Sequence, residues 1–169
     1  MTLVDRKLNI EELLDTVVKR KIGALTIVGD AFAKPILRML DERPGDWDLS
    51  SLALITSSGV MWSEPVKQGL LNHHPNMFLI DAFSSSEAIG LGQSISAAGA
   101  EAKTAKFALG AASRVITEDG REVTPGSGER GRVAVRGHTP LGYYKDPEKT
   151  AATFITVDGV RYSMPGDWA

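Results

Sequence analysis

The stretch LALITSSGVMWSEPVKQGLLNHHPNMFLIDAFSSSE, residues 52–87, sets the fold class. Leu52, Ala53, Leu54, Ile55 and Thr56 form a short apolar run that stops at Ser57-Ser58-Gly59, as a buried strand stops at a turn. A helix opens near Ser63, with Pro65 in its first turn, where a proline gives up only an N–H that has no partner inside the helix. Met77, Phe78, Leu79 and Ile80 then make a second short apolar run. Strand, helix, strand in succession is the grammar of a parallel sheet covered by its crossover helices.

Upstream the same grammar repeats. Asn9 with Glu12 three residues later resembles a capping box, and Ile10, Leu13, Leu14, Val17 and Val18 recur at helical spacing. Ala24-Leu25-Thr26-Ile27-Val28 ends at Gly29 as a buried strand, and Asp30 is the expected cap of a second helix whose stripe is Phe32, Ile36, Leu37, Met39 and Leu40. The segment DERPGD, residues 41–46, breaks that helix.

Downstream the pattern changes. An Asp119-Gly120 turn lies between the β-prone runs 113–117 and 121–123, TPGSGERG at 124–131 is a turn-rich loop, and Arg132-Val133-Ala134-Val135-Arg136 reads as a half-exposed antiparallel strand. Asp146 as cap and Pro147 as first helical residue predict one short helix reaching Phe154. The expectation is an α/β chain: part of a parallel sheet with covering helices over residues 1–106, followed by a small antiparallel β subdomain over 107–169.

Composition narrows the function classes. Lys and Arg total 19 and Asp and Glu 21, a net charge of −2, which leaves no cationic surplus for an electrostatic nucleic-acid face. Any polyanion bound must be small and held locally. Hydrophobic residues at 43% and charged residues at 24% suit a globular chain with a core. No apolar run approaches the ~20 residues of a membrane span, and the polar start lacks a secretory apolar region, so the expected location is the cytoplasm. With no cysteine, a thiolate zinc site and a cysteine nucleophile are excluded.

Three loops fall just past strand ends, where open α/β sheets keep ligands: residues 56–61, 81–87 and 165–167. The middle one places Phe83, the hydroxyls of Ser84, Ser85 and Ser86, and the carboxylate of Glu87 within seven residues that begin at Asp81. A ring can stack on a nucleobase, hydroxyls and amides can donate to phosphate, and a carboxylate can hold a magnesium ion bridging phosphates. A serine-rich turn with a solvated glutamate is the plainer reading of the same residues. Ser57, Ser58 and Gly59 are small enough for backbone to approach a planar ligand, and Asp167 could take the two hydroxyls of a ribose. His73-His74 is not a chelating pair, because adjacent helical side chains point about 100° apart. Trp47, Trp62 and Trp168 are assigned by default to core packing, and Trp62 adjoins the loop at 56–61.

In order, these residues resemble the large adenylating domain of AMP-forming acyl-CoA synthetases, the superfamily that includes luciferases and peptide-synthetase adenylation domains. Ser57-Ser58-Gly59-Val60-Met61-Trp62-Ser63-Glu64 resembles the family's Gly-Gly-Ala-Pro-Leu-Ser-Pro-Glu-like loop, and Phe83-Ser84-Ser85-Ser86-Glu87 its Tyr-Gly-x-Thr-Glu motif. Gly131-Arg132-Val133-Ala134-Val135-Arg136-Gly137 is similar to Gly-Glu-Leu-x-Val-Arg-Gly. Gly142-Tyr143-Tyr144-Lys145-Asp146-Pro147 with Thr150 and Phe154 resembles Gly-Tyr-(Trp/Tyr)-x-x-Pro…Thr…Phe, and Pro165-Gly166-Asp167 resembles Thr-Gly-Asp.

The resemblance implies ATP-dependent activation of a small-molecule carboxylic acid, fatty or related, through an acyl-adenylate that then meets coenzyme A. It implies that Ser58, Gly59, Val60, Asp81, Phe83, Ser86 and Asp167 bind nucleotide, with Phe83 flanking adenine, Gly59 and Val60 in its wall, Ser86 meeting phosphate and Asp167 on the ribose. Ser86 and Glu87 are the implied catalytic residues, and Glu87 the implied Mg2+ ligand. Departures are Ser57-Ser58-Gly59-Val60 for Gly-Gly-Ala-Pro, Phe83 for tyrosine, Ser84 for glycine and Pro165 for threonine; the last loses a hydroxyl and an N–H. The family's phosphate loop and its lysine-bearing small domain have no counterpart here, so the expectation is an internal fragment whose partner is the remainder of a parent enzyme, inactive alone. An amino-acid-activating adenylation domain and a non-catalytic nucleotide-binding module are the alternatives.

Overall fold

A computed structural model describes residues 8–100 and 106–169; the first seven residues of the polar start lie outside them. The chain divides into two compact units, Met1–Asp81 with Ser94–Lys106, and Ala82–Gln93 with Phe107–Ala169.

The first unit contains α1 (Ile10–Arg20), β1 (Ala24–Ile27), α2 (Gly29–Glu42), β2 (Leu54–Ser58), α3 (Glu64–His73) and most of β3 (Phe78–Phe83). The expected Asn9 cap is present: its side-chain oxygen accepts the Glu12 N–H at 3.2 Å. β1 and β2 pair in parallel, Ala24 opposite Leu54 through Ile27 opposite Ser57, with α2 as the connection. Leu14 and Val17 of α1, Ala33, Ile36 and Leu40 of α2, and Val66, Leu70 and Leu71 of α3 are buried with Ile27, Ile55 and Leu79 of the strands in one core. The helical stripes read from the sequence are thus the faces that cover the sheet.

Asp30 is not the cap of α2. Gly29, at φ +49, turns β1 directly into the helix, so the cap position falls on Val28 and Asp30 lies inside the first turn. Its carboxylate instead accepts the Ser63 N–H at 2.9 Å and pairs with Lys34 at 3.1 Å.

β3 also runs past Ile80 to Phe83, so Asp81 and Phe83 are strand residues rather than loop. Burial of Asp81 beside Leu79 keeps the alternation of the strand going beyond the apolar run that marked it in sequence. The sheet orders its strands β1-β2-β3-β4-β5, where β4 is Gly92–Ser96 and β5 is Ala108–Leu109, the last two antiparallel.

The second unit holds an antiparallel four-stranded sheet ordered β6-β7-β9-β8, from β6 (Ser113–Ile116), β7 (Arg132–Arg136), β8 (Phe154–Val157) and β9 (Val160–Ser163), with the short α4 (Pro147–Thr153). β7 is not half-exposed: Val133, Ala134 and Val135 are all buried. Val133 and Val135 pack with Ala88 and Leu91 on one side, and Ala134 packs with Ile116 and Tyr162 on the other. A central strand covered on both faces loses the polar half of its alternation.

The Asp119-Gly120 turn forms, with the Gly120 N–H donating to Thr117 O at 3.0 Å. The returning run 121–123, however, contributes only a single bridge, Glu122 to Ile116. The partner of β6 is β7, which offers a full register of four residue pairs. Trp47 and Trp62 are core residues as expected, but Trp168 is 47% exposed, with the guanidinium groups of Arg130 and Arg132 5.7 and 5.1 Å from its ring. No helix among the described residues is long and apolar enough to cross a membrane.

Candidate functional site

The candidate residues divide between the units. Ser58, Gly59, Val60 and Asp81 lie in the first, and Phe83, Ser86, Glu87 and Asp167 in the second.

In the first unit the loop after β2 is tightly shaped. The fully buried Ser57 hydroxyl accepts the Gly29 N–H at 2.8 Å, and Met61 O accepts the Asp30 N–H at 3.1 Å. Gly59 adopts φ +92, and Val60 and Met61 are left 52% and 63% exposed, an apolar ledge that suits a flat ligand. Behind it Trp62 is fully buried.

Asp81 is buried and bound to an equally buried cation. Lys67 of α3, with no exposed surface, places Nζ 3.2 Å from Asp81 Oδ2 and 5.5 Å from the Trp62 ring centre. Burying two charges costs several kcal/mol each, which only close pairing offsets. Lys67 carried no functional assignment in the sequence. The readable signal was a lysine on the same helix face as the apolar residues Val66, Leu70 and Leu71.

In the second unit, Phe83 packs against Phe107 with ring centres 5.5 Å apart. The serine segment is a closed turn: Ser85 N–H donates to Ala88 O at 3.0 Å, Ala88 N–H returns to Ser85 O at 3.2 Å, and the Ser84 hydroxyl donates to Ala88 O while accepting the Gly90 N–H. Ser86 stands exposed at its crest. Glu87, half-buried, accepts a hydrogen bond from the Tyr143 hydroxyl at 2.7 Å. That bond, aided by the backbone N–H of Glu87 itself and by Lys149, holds the Glu87 carboxyl below its ordinary range.

Tyr143 is itself held. Its N–H donates to Thr150 Oγ1 at 2.9 Å, its ring lies 6.0 Å from that of Phe154, and Lys149 Nζ sits 4.1 Å from its ring centre. Thr150 in turn donates to Asp146 O at 2.6 Å. The Gly-Tyr…Thr…Phe segment is therefore one scaffold whose outward product is a hydroxyl on Glu87. Asp167 is fixed through its backbone, whose oxygen accepts the Val133 N–H at 2.8 Å, while the residue is exposed.

The donor set bears on Mg2+. Among the described residues no three His, Asp or Glu side chains gather into a metal cage. A single ionised carboxylate fits an ion that arrives on a nucleotide's phosphates, since Mg2+ keeps its waters and takes one or two carboxylates plus phosphate oxygens. Glu87 meets that requirement; Asp81, committed to Lys67, does not.

Comparisons with known proteins agree with the motifs. No family model matches the chain. Over 169 residues it is 41% identical to the medium/long-chain-fatty-acid–CoA/3-oxocholest-4-en-26-oate–CoA ligase of Mycobacterium tuberculosis, covering 99% of this chain and 31% of that protein. In fold it is similar to the long-chain-fatty-acid–CoA ligase FadD1 of Archaeoglobus fulgidus, with a TM-score of 0.73 at 19% identity over 95% of this chain and 34% of that one. It is likewise similar to the nonribosomal peptide synthetase FmoA3, with a TM-score of 0.76 at 20% identity over 96% of this chain and 18% of that one. The chain thus spans about 31% of the length of the mycobacterial relative. The likeness to acyl-CoA synthetases of the adenylate-forming superfamily is borne out in sequence and in fold.

Proposed function

We propose that the protein carrying this chain is an AMP-forming acid–CoA ligase acting on a hydrophobic carboxylic acid of the fatty-acid or related class. The observation that carries the reading is Glu87: an ionised carboxylate presented after β3 beside the exposed Ser86 hydroxyl. Similarity favours this over amino-acid activation, because the 41% identity is to a CoA ligase, whereas the peptide synthetase is 20% identical.

In this reading the acid's carboxylate attacks the α-phosphorus of ATP, the bond to the β-phosphate oxygen breaks, and pyrophosphate leaves. The coenzyme A thiol then attacks the acyl carbon, loses its proton, and displaces AMP. Bound Mg2+ would neutralise phosphate charge. Glu87 would hold that ion, and Ser86 would donate to phosphate. The resemblance assigns Phe83 and Asp167 of the second unit to the adenine and the ribose hydroxyls, and Ser58, Gly59 and Val60 of the first unit to nucleotide binding, with Asp81 limited to a supporting role there because its charge is taken by Lys67. The cytoplasm, where ATP and coenzyme A are available, is the proposed location. Because the chain spans about a third of its mycobacterial relative, the 169 residues alone are proposed not to adenylate.

The test is ATP-dependent hydroxamate formation from medium- and long-chain fatty acids. The complete protein that carries this sequence should form hydroxamate and its Glu87→Ala variant should not, while the 169-residue chain should match that variant. Equal activity of the complete protein and Glu87→Ala would remove the assignment.

A further inference from the structure

We infer that Tyr143 is a positioning residue for the cation: its hydroxyl fixes the Glu87 carboxylate in the orientation in which that carboxylate receives Mg2+ carried by ATP. The inference rests on the proposed adenylating function and deepens it, by assigning a role to a side chain 56 positions from the carboxylate it holds.

The geometry is that of a built support. The Tyr143 hydroxyl meets Glu87 Oε1 at 2.7 Å, a short bond of the kind made to a charged acceptor. The phenol has little freedom to leave. The Tyr143 N–H is tied to Thr150, the ring lies against Phe154, and Lys149 covers the ring at 4.1 Å. Thr150 is a residue of α4, anchored to Asp146 at the helix cap. A glutamate has three rotatable side-chain bonds, and a half-buried one with no fixed partner must lose that freedom when it takes a ligand. Here the loss has been incurred on folding. Carboxylates that bind metals are in general hydrogen-bonded by a second residue, and removing that residue weakens the metal site about 10–100-fold.

A packing role for Tyr143 is the competing account, and removal of the hydroxyl alone separates the two. Tyr143→Phe keeps the ring on Phe154 and the N–H on Thr150 while deleting the bond to Glu87. Tyr144→Phe is the control, since Tyr144 is 87% exposed.

Calorimetric titrations of the complete protein would measure the Mg2+ concentration that half-saturates metal-dependent binding of a non-hydrolysable ATP analogue, and separately AMP affinity without metal. Tyr143→Phe should raise the Mg2+ half-saturation about 10–100-fold and leave metal-free AMP affinity unchanged. Tyr144→Phe should change neither. In a Glu87→Gln background the added Tyr143→Phe substitution should cost nothing further, because its effect passes through the carboxylate.

Metal-dependent binding in the wild type with an unshifted Tyr143→Phe half-saturation overturns this inference and spares the functional reading. Equal weakening of metal-free AMP binding by Tyr143→Phe overturns it in favour of packing. Wild-type binding that ignores Mg2+ overturns both.

Discussion

Asp81 and Glu87 stand six positions apart in sequence, and the protein treats them oppositely. Asp81, in the first unit, is 5% exposed and faces a fully buried ammonium, so its charge is spent on holding α3 to β3. Glu87, in the second, is half-exposed and faces a neutral phenol, which steadies the carboxylate without cancelling its charge. A carboxylate can be made permanent by a cation or kept available by a neutral donor. Only the second arrangement leaves net charge for a ligand.

The largest effect should come from breaking the first arrangement. Lys67→Met leaves Asp81 buried and unpaired and should cost about 3–5 kcal/mol in urea unfolding, with Lys67→Met/Asp81→Leu recovering most of it. A single substitution costing less than about 1 kcal/mol would show that water reaches the pair and would erase the contrast.

Asp30 supplies an intermediate case. Burial works to raise its carboxyl, but hydrogen bonds from Ser63 and the contact with Lys34 outweigh it and bring the pKa below the ordinary 3.8. The folded state therefore favours the ionised form. The stabilisation is complete above the ordinary value and is lost as pH falls through the lower folded value. Thermal melts of the wild type and Asp30→Asn should differ at neutral pH and converge in acid below 3.8; a constant gap would show that the Asp30 charge is not what matters.

The smallest effect on stability should be that of Tyr143→Phe, about 1 kcal/mol or less in the same urea assay, because its partner is partly solvated. A loss comparable with that of Lys67→Met would place Glu87 in the same structural class as Asp81.

What the sequence disclosed followed the range of the interaction involved. The Asn9 cap and the stripes of α1 and α2 depend on residues within two turns and were plain. The β8–β9 hairpin was also written locally, in Asp158-Gly159 with φ +48 and +75, the pairing that a two-residue turn prefers, yet the predicted helix extending to Phe154 ran over its start. β4, Gly-Gln-Ser-Ile-Ser, has no strand composition and exists because its neighbours in the sheet supply the pairing.

The candidate site shows the same division. Phe83 and the serine turn were visible as a cluster, and Glu87 stood out as its only carboxylate beyond the strand. Their supports were not. Lys67 on Asp81 and Tyr143 on Glu87 are tertiary contacts, and the latter joins residues 56 positions apart with no local pattern to announce it. In the sequence Tyr143 is a letter of a motif, and only the fold gives it a carboxylate to hold.

The turn at Gly29 gives the ledge at Val60 and Met61 its shape from a distance. A Cβ at position 29 would sit 2.5 Å from Met61 O and 2.6 Å from Val60 Cγ2, so the ledge rests on the empty space where a side chain would be. Val60 and Met61 project outward and can be exchanged to suit a different molecule. Their curvature cannot, because it is inherited from a residue in another turn. Anyone remodelling this surface has two adjustable tiles and one fixed mould.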